Sequence, residues 1–179
     1  MKRAIILFVF SAVLIALLNT SCSKIGELCF DTTKKESIAT NEVKAAGASN
    51  ATKSSKDVDF VANLKAKGIN TSNINSVYVV SAITVTIPAT AGYTFADFTS
   101  AELTISNSSL GSSPISLGTL PANATGLSAT FSTPTKVDLK SPLISGTEII
   151  FSFNSVVKKA LPASSVDISI PLNACYQVL

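Results

Sequence analysis

Thr147-Glu148-Ile149-Ile150-Phe151-Ser152-Phe153-Asn154 puts Ile149, Phe151 and Phe153 at every second position, with Ser152 and Asn154 between and after them. Successive side chains of a strand point to opposite faces, so this spacing builds a ribbon with one strongly apolar face. The same period of two recurs on both sides of it. In residues 76–87, Ile83, Val85 and Ile87 alternate with Thr84 and Thr86 until Pro88 ends the run, and in residues 101–106, Ala101, Leu103 and Ile105 oppose Glu102, Thr104 and Ser106. Residues 115–120, 127–131, 135–140 and 166–172 continue the pattern, which makes seven candidate strands.

Between them lie Ala91-Gly92, Asn107-Ser108-Ser109, Pro121-Ala122-Asn123, Thr133-Pro134 and Ser145-Gly146, all turn-forming combinations. Connections this short exclude crossover helices, so the fold class expected is all-β: an antiparallel sandwich, immunoglobulin-like or jelly-roll, of about seven strands, with a closed barrel as the alternative. Outward positions occupied by Thr, Ser, Asp and Lys argue against a membrane barrel, whose outer face must be apolar. Residues 155–163 fit either a helical turn or a further strand.

Ahead of the strands, Asp57 can cap a short helix over residues 58–67, with Phe60, Val61 and Leu64 on one face and Gly68 at the left-handed position that follows a helix. Thr71 and Ser72 can cap a further single turn. Residues 31–56 are dominated by Thr, Ser, Ala, Asn and Lys and contain no aromatic. Such a composition buries too little to repay its ordering, so a flexible tether is expected there, with a marginal helix over residues 34–46 as the alternative.

At the N-terminus Lys2 and Arg3 precede a fifteen-residue apolar run, residues 4–18, and polar Asn19, Thr20 and Ser21 follow directly. These are the three regions of an export signal, and the run falls short of the roughly 20 apolar residues of a membrane span. Leu18-Asn19-Thr20-Ser21-Cys22 resembles the lipobox of bacterial lipoproteins. Thr20, Ser21 and Cys22 match, while Asn19 stands at −3 where that family expects an apolar residue; this relaxed form is similar to the lipoprotein signals of the Bacteroidetes. The resemblance implies lipid attachment at Cys22, palmitate among the acyl groups, and removal of residues 1–21. The absence of Asp after Cys22 implies sorting to the outer membrane. Cleavage after Ser23 by the ordinary signal peptidase, giving a soluble secreted protein, is the alternative. The organisation expected is a cleaved signal over 1–21, an anchor and tether over 22–56, and a sandwich domain with its short helix over 57–179.

Composition narrows the chemistry. The chain has no His and no Trp, and its one Arg is Arg3. Histidine-based triads, imidazole metal ligands and bidentate Arg clamps are thereby unavailable to the mature chain. Without Lys2 and Arg3, twelve Lys face eleven acidic residues, a balance that gives no footprint for nucleic acid. No cofactor, no metal and no catalytic residue is expected. If Cys22 carries lipid, Cys29 and Cys175 remain as a pair in an oxidising compartment, either bridged or as two buried thiols. A bridge over so long a loop stabilises by roughly 5 kcal/mol on the chain-entropy model.

Tyr93, Phe95 and Phe98 cluster after Pro88 and either close one end of the core or form an exposed binding loop. Asp31-Thr32-Thr33 resembles the Asp-Ser/Thr-small O-glycosylation motif of exported Bacteroidetes proteins, which implies Thr32 as an acceptor. Asp97, Glu102, Asp138, Glu148 and Asp167 are scattered singly, and each has a sufficient explanation as a solvated charge. The function expected is a noncatalytic, lipid-anchored envelope protein that touches the membrane through its lipid and binds a protein or glycan partner. A structural or adhesive surface subunit, or an envelope hydrolase built on two of the five acids, are the alternatives.

Overall fold

In chain order the elements are β1 (Glu27–Thr40), β2 (Gly47–Ser55), α1 (Val58–Ala66), β3 (Ile74–Val79), β4 (Ile83–Thr86), β5 (Phe98–Ser106), β6 (Ile115–Thr119), β7 (Ser128–Phe131), α2 (Lys140–Ser145), β8 (Ile149–Val157) and β9 (Ser164–Gln177). The computed structural model describes residues 27–55, 58–79, 82–107, 113–132, 137–145 and 147–177. The export signal, Cys22 and Asp57 lie outside the described residues.

Every strand pairing is antiparallel. One sheet runs β1-β9-β4-β7, and the other runs β2-β8-β5-β6. On the side of β9 away from β1, β4 pairs with its first half (Thr84 opposite Ser169) and β3 with its second half (Val79 opposite Leu172). Taken as one interrupted strand, β3 and β4 reduce the fold to eight strands that change sheet at every step except from β5 to β6, the connectivity of a jelly roll. The strand order thus decides between the two sandwich types. Their inner faces meet in one core that includes Val85, Leu103, Ile105, Phe131, Phe151, Phe153, Ile168 and Ile170, all buried.

Several expected boundaries move. The alternation in residues 76–87 breaks into β3 and β4. In the described part of the strand expected over 135–140, residues 137–140, an isolated bridge between Asp138 and Tyr78 is what forms, after which the chain turns into α2. The Asp138 carboxylate accepts the Lys140 N–H at 2.8 Å and so caps the helix, whose Pro142 sits in the first turn where a missing N–H costs nothing. Residues 155–157 complete β8, and Leu161 then bridges to Val43, so no helical turn interrupts there.

The largest correction concerns residues 31–56, read from composition as a tether. Residues 27–40 form the fourteen-residue β1, which pairs along its whole length with β9, and residues 47–55 form β2 against β8. Residues 27–55 therefore belong to the folded domain, expected from the sequence to begin at residue 57. A segment of this composition cannot repay its own ordering alone, but an edge strand draws its backbone hydrogen bonds from an apolar neighbour and buries alternate residues of one face. In β1 that face carries Phe30, Thr32, Lys34, Glu36 and Ile38, with Ile38 fully buried.

β1 and β9 are longer than the nine-residue β2 and β8, so the first sheet overhangs the second at the Glu27 end. There α1 and α2 take the place of the missing sheet. Phe60 and Leu64 of α1 are buried as expected, Gly68 follows the helix at φ 73°, and Phe60 and Asn63 share a cleft with Thr32, Lys34 and Leu172. The next turn is a 3-10 turn over Thr71–Asn73, capped by the Asn70 side chain, which accepts the Ser72 N–H at 3.1 Å.

The two lateral edges of the sandwich differ. On one, β6 and β7 belong to different sheets yet meet through a bridge between Thr119 and Ser132. A register shift in β6 and Gly118 at φ 150° allow this approach. On the other, β1 and β2 lie side by side without a backbone ladder, joined by side chains.

Candidate functional site

Tyr93, Phe95 and Phe98 are all buried, at 4%, 0% and 6% exposure, so the binding-loop reading of them is corrected: they close the core. The Thr94 hydroxyl and Asp97 carboxylate form a capping box around the 3-10 turn Phe95–Asp97, and the Phe95 N–H donates to the Gly126 carbonyl at 3.0 Å, which draws the loop inward. Phe95 and Phe98 then pack at 5.8 Å between ring centres, Phe95 meets Phe131 at 6.2 Å, and Phe98 meets Phe153 at 6.0 Å. Tyr93 stays buried because its hydroxyl shares a hydrogen bond of 3.2 Å with Thr40 at the end of β1.

Cys29 and Cys175 are directly opposite in the β1–β9 ladder and are joined by a disulfide. Thr32 lies three residues further along β1 opposite Leu172, partly buried beside α1; its neighbour Asp31 is exposed and accepts from the Asn173 amide at 2.9 Å. The five acids are dispersed. Asp97 serves the capping box and an ion pair with Lys159 at 2.8 Å, Asp138 caps α2, and Glu148 accepts from the Ser54 hydroxyl. Glu102 and Asp167 belong to the outer faces of opposite sheets. Among the described residues no three His, Cys, Asp or Glu side chains gather as a metal site.

Two other arrangements emerge that no single stretch of sequence displays. The first lies on the outer face of the second sheet, where the ladder aligns Asn50, Asn154, Glu102 and Thr119 as one rung across four strands. The Asn50 amide donates to the Asn154 carbonyl oxygen, which fixes the orientation of both side chains. Ala48, Leu120 and Val156 flank the rung in a cleft of about 680 Å³, and Val156 is 39% exposed although a branched apolar residue. Amides and a carboxylate aimed outward beside apolar surface can hydrogen-bond hydroxyl or peptide groups while covering their apolar parts. Asn50 and Asn154 are 104 residues apart, so their adjacency follows from strand order, which no local pattern encodes.

The second arrangement bridges β1 and β2. Glu36 accepts from Lys34 at 2.7 Å and from the Ser55 hydroxyl at 2.6 Å, with the Lys34 and Glu36 side chains only 14% and 10% exposed. Burial, the largest single influence, raises the Glu36 pKa, but the bonds from Lys34 and Ser55 and the charges of Lys34 and Lys53 together outweigh it and hold the carboxyl below its ordinary value of 4.5. Asp97 is likewise held low, first by its bond from Lys159; burial opposes this, and the Thr94 N–H and the charges of Lys159 and Lys158 add to it. On the outer face of the first sheet, Lys35, Ser169 and Thr84 form one rung and Ser37, Asp167 and Thr86 the next, beside a cleft of about 660 Å³.

No protein-family model matches the sequence, and no curated protein matches it. Solved structures match the chain at low identity and low TM-score. The Desmodium yellow mottle tymovirus structure is 7% identical, with a TM-score of 0.29 over 85% of this chain and 90% of that one. The decameric BFDV capsid protein is 9% identical, with a TM-score of 0.37 over 83% and 98%. A family two carbohydrate esterase from Cellvibrio japonicus is 6% identical, with a TM-score of 0.28 over 84% of this chain and 35% of that one. The jelly-roll assignment stands on the strand order above.

Proposed function

We propose that this chain is a noncatalytic, lipid-anchored protein of the cell envelope, acylated at Cys22 in the outer membrane, whose jelly roll serves as an interaction module. The anchor follows from the signal in residues 1–21 and the lipobox resemblance. The observation that supports an interaction role is the rung Asn50, Asn154, Glu102 and Thr119: outward hydrogen-bonding groups, held in register on a sheet and flanked by exposed Val156, suit a glycan or an extended peptide. Two or more acyl chains make a stable anchor where one does not, because each buried CH₂ contributes about 0.8 kcal/mol.

Radiolabelled palmitate fed to cells expressing the wild type and Cys22→Ser tests the anchor, read with membrane fractionation. Label and membrane association are expected for the wild type and neither for the variant. An unlabelled wild type would sink the reading.

A further inference from the structure

Among the described residues, the end of the jelly roll at which β1 begins carries an uncovered remnant of the inner face. Leu28 lies opposite Tyr176 in the ladder and is 54% exposed, the highest value among the large apolar residues described. Beside it Phe30 packs edge-on against Tyr176 at 6.2 Å, and both rings are partly exposed. α1, which covers this face further along, ends here: Lys65 lies in its last turn, and the Lys67 ammonium sits 4.9 Å from the centre of the Phe30 ring. Leucine, two aromatic rings and lysines at one margin form the mixed surface that suits a lipid headgroup boundary, where rings and apolar tips enter the acyl region and ammonium groups meet phosphates.

Chain length says what covers it. Four residues, 23–26, separate Cys22 from Glu27, and five peptide steps reach at most about 18 Å even fully extended. β1 itself has fourteen residues and spans about 45 Å. A domain held at Cys22 therefore meets the bilayer with its Glu27 end, while the Thr40 end and the loop containing Ala160 point away. Glu27, at this margin, accepts from the Asn75 amide at 3.2 Å.

We infer that Leu28, Phe30 and Tyr176, with Lys65 and Lys67, form a docking surface for the lipid bilayer in which the protein's own acyl chains are buried, and that this contact fixes the domain upright, with the rung on the second sheet exposed to the side. The inference rests on acylation at Cys22, proposed above.

The chain lacks Trp, so a single introduced Trp is a clean reporter. Mature acylated Leu28→Trp and Ala160→Trp, each purified from membranes, are reconstituted into vesicles of phosphatidylethanolamine and phosphatidylglycerol with brominated acyl chains. Blue-shifted emission and loss of intensity by bromine quenching are expected for Leu28→Trp and neither for Ala160→Trp. Palmitate-labelled, vesicle-bound protein whose Leu28→Trp emission is unshifted and unquenched, or whose two reporters behave alike, overturns the docking surface and leaves the anchor standing. Protein that carries no label and does not float with vesicles overturns the anchor, and the docking surface with it.

Discussion

Glu36 points inward from a strand with no backbone partner on one side, and its charge is held by Lys34, Ser55 and Lys53. Because its pKa in the folded chain is lowered, ionised Glu36 favours folding above its ordinary value of 4.5, and that contribution is lost as the pH falls through the folded value. Glu36→Gln is expected to lower unfolding free energy by about 1 kcal/mol at pH 7, a figure kept small because water reaches this edge. The gap to the wild type should narrow as the pH falls below 4.5. Urea unfolding at several pH values checks this, and a gap that is constant down to pH 3 would assign the effect to shape instead of charge. None of it was legible beforehand: Lys34 and Glu36 fall in the stretch expected to be a tether, and the partner Ser55 stands nineteen residues away.

Among the elements, the apolar strands could be read from the sequence and the polar ones could not. β5 and β8 alternate strongly enough to be placed within a few residues, and α1 was marked by Phe60, Leu64 and Gly68. β1 and β2 escaped because edge strands carry Thr, Ser, Lys and Asn for a reason: inward charges and short polar side chains discourage another chain from pairing with the open backbone. The candidate site inherits this difficulty. Asn154 was visible at the end of an apolar stripe, but its partner Asn50 sits in a strand that composition disguised. The opposite edge depends on β6, where a Cβ at position 118 would come within 2.9 Å of the Ser132 carbonyl oxygen, at a φ of 150°. Gly118→Ala should therefore cost about 3 kcal/mol, from backbone strain and overpacking together. A lower urea midpoint with an unchanged slope checks it; a loss under 0.5 kcal/mol would mean that β6 and β7 can part freely.

For the whole molecule, the disulfide joins residues 146 apart in sequence and so encloses nearly all of the described fold. Cys29→Ser with Cys175→Ser is expected to reduce stability by about 2–5 kcal/mol, and reductant should bring the wild type down to the same urea midpoint while leaving the double variant unmoved. Oxidised and reduced wild type that unfold alike would remove this role. The position of the bridge has a second consequence, in mechanics. Tension applied through residues N-terminal to β1 reaches Glu27 first, and an antiparallel ladder loaded at one end opens one rung at a time. Here two rungs, Glu27 with Gln177 and Leu28 with Tyr176, precede the covalent rung at Cys29 and Cys175. The zipper stops there, and the pull passes into β9, an interior strand of its sheet, so a domain loaded from its N-terminal side keeps β1 in place and delivers the load to its core.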